Sequence, residues 1–150
     1  MIDLTPEECA RVLEEGYVAH IGLISDGVPY VTPMSYVVVG DDVCFRTGPG
    51  RRVDALRADP RCCVEVTILR ESDTWESVLF WGAARFIEEP GARADVVAAI
   101  LRKYHTESPL GSSSPAFLPK EHPIIAITPE DVTGRASGRE LGKQTRPGRL

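Results

Sequence analysis

The stretch VCFRTGPGRRVDALRADP, residues 43–60, places Arg46, Arg51 and Arg52 around a Gly48-Pro49-Gly50 turn where a helical pattern begins. A cation in the first helical turn sits at the positive end of the backbone dipole. That costs roughly 0.3–1 kcal/mol each when nothing offsets it. The chain carries a net charge of −5, so these cations do not belong to a general basic surface. A glycine turn before a helix leaves backbone N–H groups unpaired, and arginine grips phosphate oxygens with two parallel donors. Arg46, the Thr47 hydroxyl, Gly50, Arg51 and Arg52 therefore describe a seat for a phosphate. The competing expectation is that the arginines solvate the loop and pair with Asp54, Glu65 or the acids of the hairpins.

The other reactive side chains form no comparable set. His20, in VAHIGL, is read as a core histidine bonded to a backbone carbonyl; the alternatives are a proton donor to a ligand or an iron ligand. Cys9, Cys44, Cys62 and Cys63 show no C-x-x-C pair and no ligand rhythm with the histidines, so buried reduced thiols and no metal are expected. Adjacent Cys62 and Cys63 in a strand point to opposite faces. Trp75 beside a turn suits a ligand contact, and Trp81 suits packing in the core or at an interface. No Ser-His-Asp or Cys-His arrangement has local support.

These residues need positioning elements, and the turn signals supply them. Thr5-Pro6-Glu7-Glu8 reads as a capped helix start, and Gly16 closes that helix. YVAHIGLIS, VPYVTPMSYVVV and VCFRT, separated by Asp26-Gly27 and Gly40-Asp41-Asp42, predict a three-strand antiparallel meander. A short helix RRVDALRA stops at Asp59-Pro60. RCCVEVTILRE and ESVLFWGAARFIEE read as two long strands joined at residues 72–74. Pro90 opens a helix with an expected apolar face of Val97, Ile100, Leu101 and Tyr104, and HPIIAIT is a sixth strand.

Six strands with helices at the margins predict a mainly β fold, an antiparallel barrel with flanking helices. Apolar residues on both faces of YVAHIGLI and SVLFWGAARFI call for a second cover, and the simplest is a homodimer. The domain is placed at residues 1–133, with a basic, glycine-rich tail at 134–150, either frayed or lying on a partner near an anionic ligand. Residues 106–122, rich in serine and proline, read as a lid or linker. An acidic, thiol-bearing chain whose start lacks a signal-peptide pattern, and which has no long apolar run, is expected to be cytoplasmic, binding neither nucleic acid nor membrane.

The hairpin motif at Asp26, Gly27, Pro29 and Pro33, the strand–turn–basic helix from Phe45 to Leu56, the Asp59-Pro60 stop, and Trp75, Ser77, Val78 and Gly82 occur together. In this combination the chain, over about residues 1–133, resembles the FMN-binding split-barrel proteins related to pyridoxamine 5′-phosphate oxidase. The nearest branch holds the nitroimidazole-resistance (Nim-like) proteins. The resemblance implies a six-stranded FMN-binding split barrel, homodimeric, acting as an oxidoreductase on a small-molecule acceptor with a separate reductant. It implies that Pro33, Met34, Ser35 and Tyr36 run beside the isoalloxazine ring, and that Arg46, Thr47, Gly50, Arg51 and Arg52 hold the FMN phosphate. Trp75, Ser77 and Val78 would reach the flavin, commonly across the dimer interface. Nim-like relatives often have histidine at the position of Arg46. The tail RELGKQTRPGRL also lacks the histidine of the arginine–histidine segment in true pyridoxamine-phosphate oxidases, so oxidation of vitamin B6 phosphates is not expected. Related barrels bind the deazaflavin F420 or haem, or carry flavin without turnover, and these are the alternatives.

Overall fold

The computed structural model describes residues 1–71, 73–104 and 122–137. Most of the lid or linker read at 106–122, and the tail from 138 onward, lie outside the described residues. The chain runs β1 (Ile2–Asp3), α1 (Pro6–Glu15), β2 (Val18–Ser25), β3 (Val28–Ser35), β4 (Val37–Val39), β5 (Asp42–Arg46), α2 (Arg51–Ala58), β6 (Arg61–Leu69), β7 (Trp75–Phe86), α3 (Pro90–Tyr104), β8 (Ile124–Ile127) and β9 (Asp131–Ala136). The fold is an antiparallel sheet curled into a half-barrel with three helices, in the order β3-β2-β6-β7-β8-β5-β4, with β9 pairing β7 and β1.

Six expected strands become nine, for local reasons. The predicted middle strand VPYVTPMSYVVV breaks at Tyr36: β3 pairs with β2 and β4 with β5. The meander is thus divided between the two halves of the barrel. β9 pairs with β7 from Glu76–Ala136 to Trp81–Asp131 and runs past the boundary read at 133. Its buried positions are Gly134 and Ala136, too small to give an apolar alternation. Size is dictated there, because a Cβ on Gly134 would stand 2.5 Å from Cys9 Sγ and 2.9 Å from Leu4 Cβ.

The expected turns are in place. Asp26 and Gly27 both have positive φ, 51° and 76°, in the two-residue hairpin between β2 and β3. Thr5 accepts from Glu8 N–H at 3.2 Å while Glu8 Oε2 accepts from Thr5 N–H at 2.8 Å, so α1 opens on a complete capping box. β7 pairs with β6 along its length and with β8 at Ala84–Phe86, and so serves both halves.

The core lies inside the curl, where Ile21, Val64, Val66, Val78, Phe80, Phe45 and Ile125 are buried and α1 adds Val12 and Leu13. A Phe, Leu or Val side chain so buried contributes about 1.5–3 kcal/mol. Helix α3 buries Val96 and Ala99 over Val37, Cys44, Ile124 and Ala126. Its inward face is therefore turned from the expected one, with Val97, Ile100 and Tyr104 only half-buried. Cys62 is buried and Cys63 half-buried, as opposite faces of β6 require. On the outer face Ile24, Val31 and Trp81 are exposed. No helix among the described residues is long and apolar enough to cross a membrane.

Candidate functional site

Helix α2 starts at Arg51, and its N-cap, Gly50, has φ 150° and no side chain to bond the free N–H groups. A Cβ there would meet nothing within 4 Å, so open space lies in front of the helix start. Around it the structure builds a cradle. Arg52 Nη1 donates to Thr47 Oγ1 at 3.0 Å, and Nη2 donates to Thr32 Oγ1 at 2.7 Å and to the Pro33 carbonyl at 2.8 Å. Thr47 N–H donates to the Pro123 carbonyl at 3.1 Å, which ties the turn to the start of β8. Arg46 precedes Thr47 at the end of β5.

The electrostatics of this corner are unbalanced. Among the described residues none of Arg46, Arg51 and Arg52 forms an ion pair, whereas Arg11, Arg61, Arg70, Arg85 and Arg135 all do. The expected alternative, pairing with Asp54, Glu65 or hairpin acids, is therefore not what the structure shows. Arg46 Nη1 and Arg52 Nε are buried with no hydrogen-bond partner. Burial pushes the Arg52 guanidinium below its ordinary value, with the Tyr30 phenol acting in the opposite direction. Buried polar groups in proteins are nearly always satisfied, so each of these two orphaned nitrogens, on residues at either side of the turn, is a candidate contact for an anion.

The remaining expected residues divide. Arg51 turns away from the corner: its Nε donates to Ser25 Oγ at 2.8 Å and its guanidinium carbon lies 4.3 Å from the Tyr30 ring centroid. Pro33 and Ser35 are exposed on β3, but Met34 and Tyr36 point into the core, 6% and 0% exposed. The Tyr36 hydroxyl donates to the Leu13 carbonyl at 2.5 Å, and the Tyr104 hydroxyl accepts from Tyr36 N–H and donates to its carbonyl. Tyr36 thus offers neither its side chain nor a free backbone group. Trp75 and Ser77 line a separate groove of about 790 Å³ with Glu65, Leu79 and Arg135, which shares no lining residue with the corner. Val78 is fully buried, so its side chain faces the core.

His20 corrects its expectation. It is exposed, and Nδ1 lies 3.0 Å from Glu65 Oε2 rather than on a backbone carbonyl. Glu65 also accepts from Ser77 Oγ at 3.0 Å and from the Thr67 hydroxyl. Thr32, Ser25 and Tyr30 are the residues that sequence reasoning missed. Only the β2–β3 register, with Leu23 opposite Tyr30 and Ile21 opposite Thr32, brings them beneath α2.

Unpaired cations beside a helix start suit an anionic ligand, and known proteins bear on which. The profile of the pyridoxamine 5′-phosphate oxidase family matches residues 5–136. The chain belongs to that family. An uncharacterized protein of Rhizobium meliloti is 26% identical over 145 residues, 89% of this chain and 93% of its own. Among solved structures of pyridoxamine 5′-phosphate oxidase-like shape, a FAD-binding protein of Mesorhizobium loti matches with a TM-score of 0.69 at 26% identity, over 91% of this chain and 97% of that one. A candidate 5-nitroimidazole antibiotic resistance protein of Bacteroides thetaiotaomicron has a TM-score of 0.74 at 18% identity, over 90% and 86% of the two chains. The split-barrel fold expected from the sequence is the fold of these neighbours.

Proposed function

We propose that this protein binds a flavin nucleotide through the basic corner, with FMN as the minimal ligand, and uses it as an oxidoreductase on a small-molecule acceptor. The observation that carries the reading is the two buried, unpartnered guanidinium nitrogens, Arg46 Nη1 and Arg52 Nε, on residues flanking the turn at 47–50, whose arginines form no ion pair among the described residues. The family and the flavin named for the M. loti protein support it.

A bound flavin supplies hydride or single-electron transfer, so no protein nucleophile is needed. The chain's own residues bind and orient. The α2 N–H groups, Arg46, Arg52 and the Thr47 hydroxyl would hold the phosphate. Arg52 at the same time fixes the Pro33 carbonyl and Thr32, coupling the anion to the strand along which the ring would lie. The reading includes a second copy of this chain. Ile24, Val31 and Trp81 leave an apolar, concave outer face on β2, β3, β6 and β7 for it to cover, and its Trp75–Ser77 groove would complete the ring site.

The test is the absorption spectrum of the purified protein, followed by anaerobic reduction with NADH and NADPH. A flavin spectrum that bleaches on reduction and recovers with a nitroaromatic or quinone acceptor is the expected result. A Soret band, the blue-shifted emission of F420, or a colourless protein that binds no FMN would overturn the reading.

A further inference from the structure

Consecutive residues Arg51 and Arg52 serve different places. Arg52 is spent on the corner, on Thr47, Thr32 and Pro33. Arg51 is exposed, held by one nitrogen on the buried Ser25 hydroxyl and lying over Tyr30 at 4.3 Å. Its terminal nitrogens Nη1 and Nη2 have no partner among the described residues. A flat guanidinium fixed on one side by Ser25 and below by an aromatic ring is pre-organised in a way that a solvated arginine is not.

Position along β3 gives this platform a meaning. Tyr30 precedes Thr32 by two residues on the same face, about 7 Å at strand rise. From Ser35 toward the hairpin the strand therefore passes the proposed ring position, then the phosphate corner at Pro33 and Thr32, then the Arg51–Tyr30 platform. A ligand that continues beyond its corner phosphate in this direction meets two free, fork-spaced N–H donors and the open face of a stacked guanidinium. One pyrophosphate oxygen away from the first phosphate, a dinucleotide carries a second phosphate and then, across a ribose, an aromatic base.

We propose that Arg51 and Tyr30 form a second subsite, which holds the outer phosphate and the adenine of a flavin dinucleotide, so that the protein prefers FAD to FMN. This rests on the flavin reading of the corner. The full chain, stripped of flavin, is titrated with FMN, FAD and F420 by calorimetry. FAD binding at least tenfold tighter than FMN is expected. Arg51→Ala, an exposed substitution, should reduce FAD to the FMN level while FMN affinity changes less than twofold. Arg51→Lys, which keeps the charge but not the plane, should fall between. Tyr30→Leu should act on FAD like Arg51→Ala, with circular dichroism reporting its fold. Equal affinities for FMN and FAD in the unaltered protein overturn the subsite and leave the corner standing. So does an Arg51→Ala loss that is the same for both ligands, since Arg51 would then serve the first phosphate. F420 bound more tightly than FAD overturns it as well. Failure to bind either FMN or FAD removes both proposals.

Discussion

Replacing Arg46 with methionine separates a binding role from a structural one by the sign of its effect. The guanidinium of Arg46 donates to no group among the described residues, and its Nη1 is buried. An unsatisfied buried polar group costs about 1–3 kcal/mol, and a charged one more. Methionine keeps most of the apolar stem and removes that cost. The flavin-free Arg46→Met protein should therefore be as stable as the unaltered one or more so. A gain of about 1 kcal/mol would raise Tm by about 2–4 °C at this chain length. Flavin binding should move the other way. Losing one charge-assisted contact of about 1.5–3 kcal/mol weakens FMN binding by roughly 10- to 150-fold. The assays are thermal unfolding of flavin-free protein and calorimetric titration with FMN. A fall in flavin-free Tm with unchanged FMN affinity would refute the reasoning, because Arg46 would then be a structural residue.

Other expectations follow from the packing. Gly82→Ala should destabilise by about 2 kcal/mol or more, since its Cβ would stand 2.8 Å from the Thr128 carbonyl oxygen and 2.8 Å from Ile127 Cγ2 in the crossover between barrel halves; denaturant unfolding measures it. Glu76 is buried and accepts from Arg11 at 2.7 Å and Arg70 at 2.8 Å, and the Arg11 bond, with Arg70 and against burial, holds its carboxyl below the ordinary glutamate range. A depressed carboxylate stabilises fully above its unfolded value and loses that contribution as pH falls through the folded one. The acid limb of the stability curve should therefore flatten in Glu76→Gln, with a loss of about 2–3 kcal/mol at neutral pH. Burial pushes the Cys62 thiol up to about 12 and the Cys44 thiol up to about 11. At pH 8 an alkylating reagent should thus leave Cys44 and Cys62 unlabelled until the protein is denatured, as mass spectrometry of the peptides would show.

Much of the fold was legible because its punctuation is chemical. Asp26-Gly27 specified a turn with two positive φ angles, Thr5 and Glu8 specified a helix start, and Asp59-Pro60 specified a stop. The strands that escaped carry weak local signals. β9 buries Gly134 and Ala136, which occupy space defined by Cys9 and Leu4, far away in sequence. The break at Tyr36 was hidden because the residue is as apolar and strand-prone as its neighbours. It is fixed by Tyr104, which bonds both backbone groups from another helix. At the site, a cluster of arginines beside glycines was visible in one continuous stretch. What each arginine does was not, since Arg51 and Arg52 differ only through Ser25, Tyr30 and Thr32, set under α2 by the register of β2 and β3. His20 misled for a related reason: its carboxylate partner, Glu65, lies directly across on β6 and is invisible until the strands are paired.

The central claim is that the corner between β5 and α2 seats a phosphate. The most direct measurement compares the affinity of the flavin-free protein for FMN with that for riboflavin, which differ only in that group, at two salt concentrations. FMN bound at least a hundredfold more tightly than riboflavin, with the gap narrowing in Arg46→Met and Arg52→Ala, is the predicted result. Riboflavin and FMN bound equally well would contradict it.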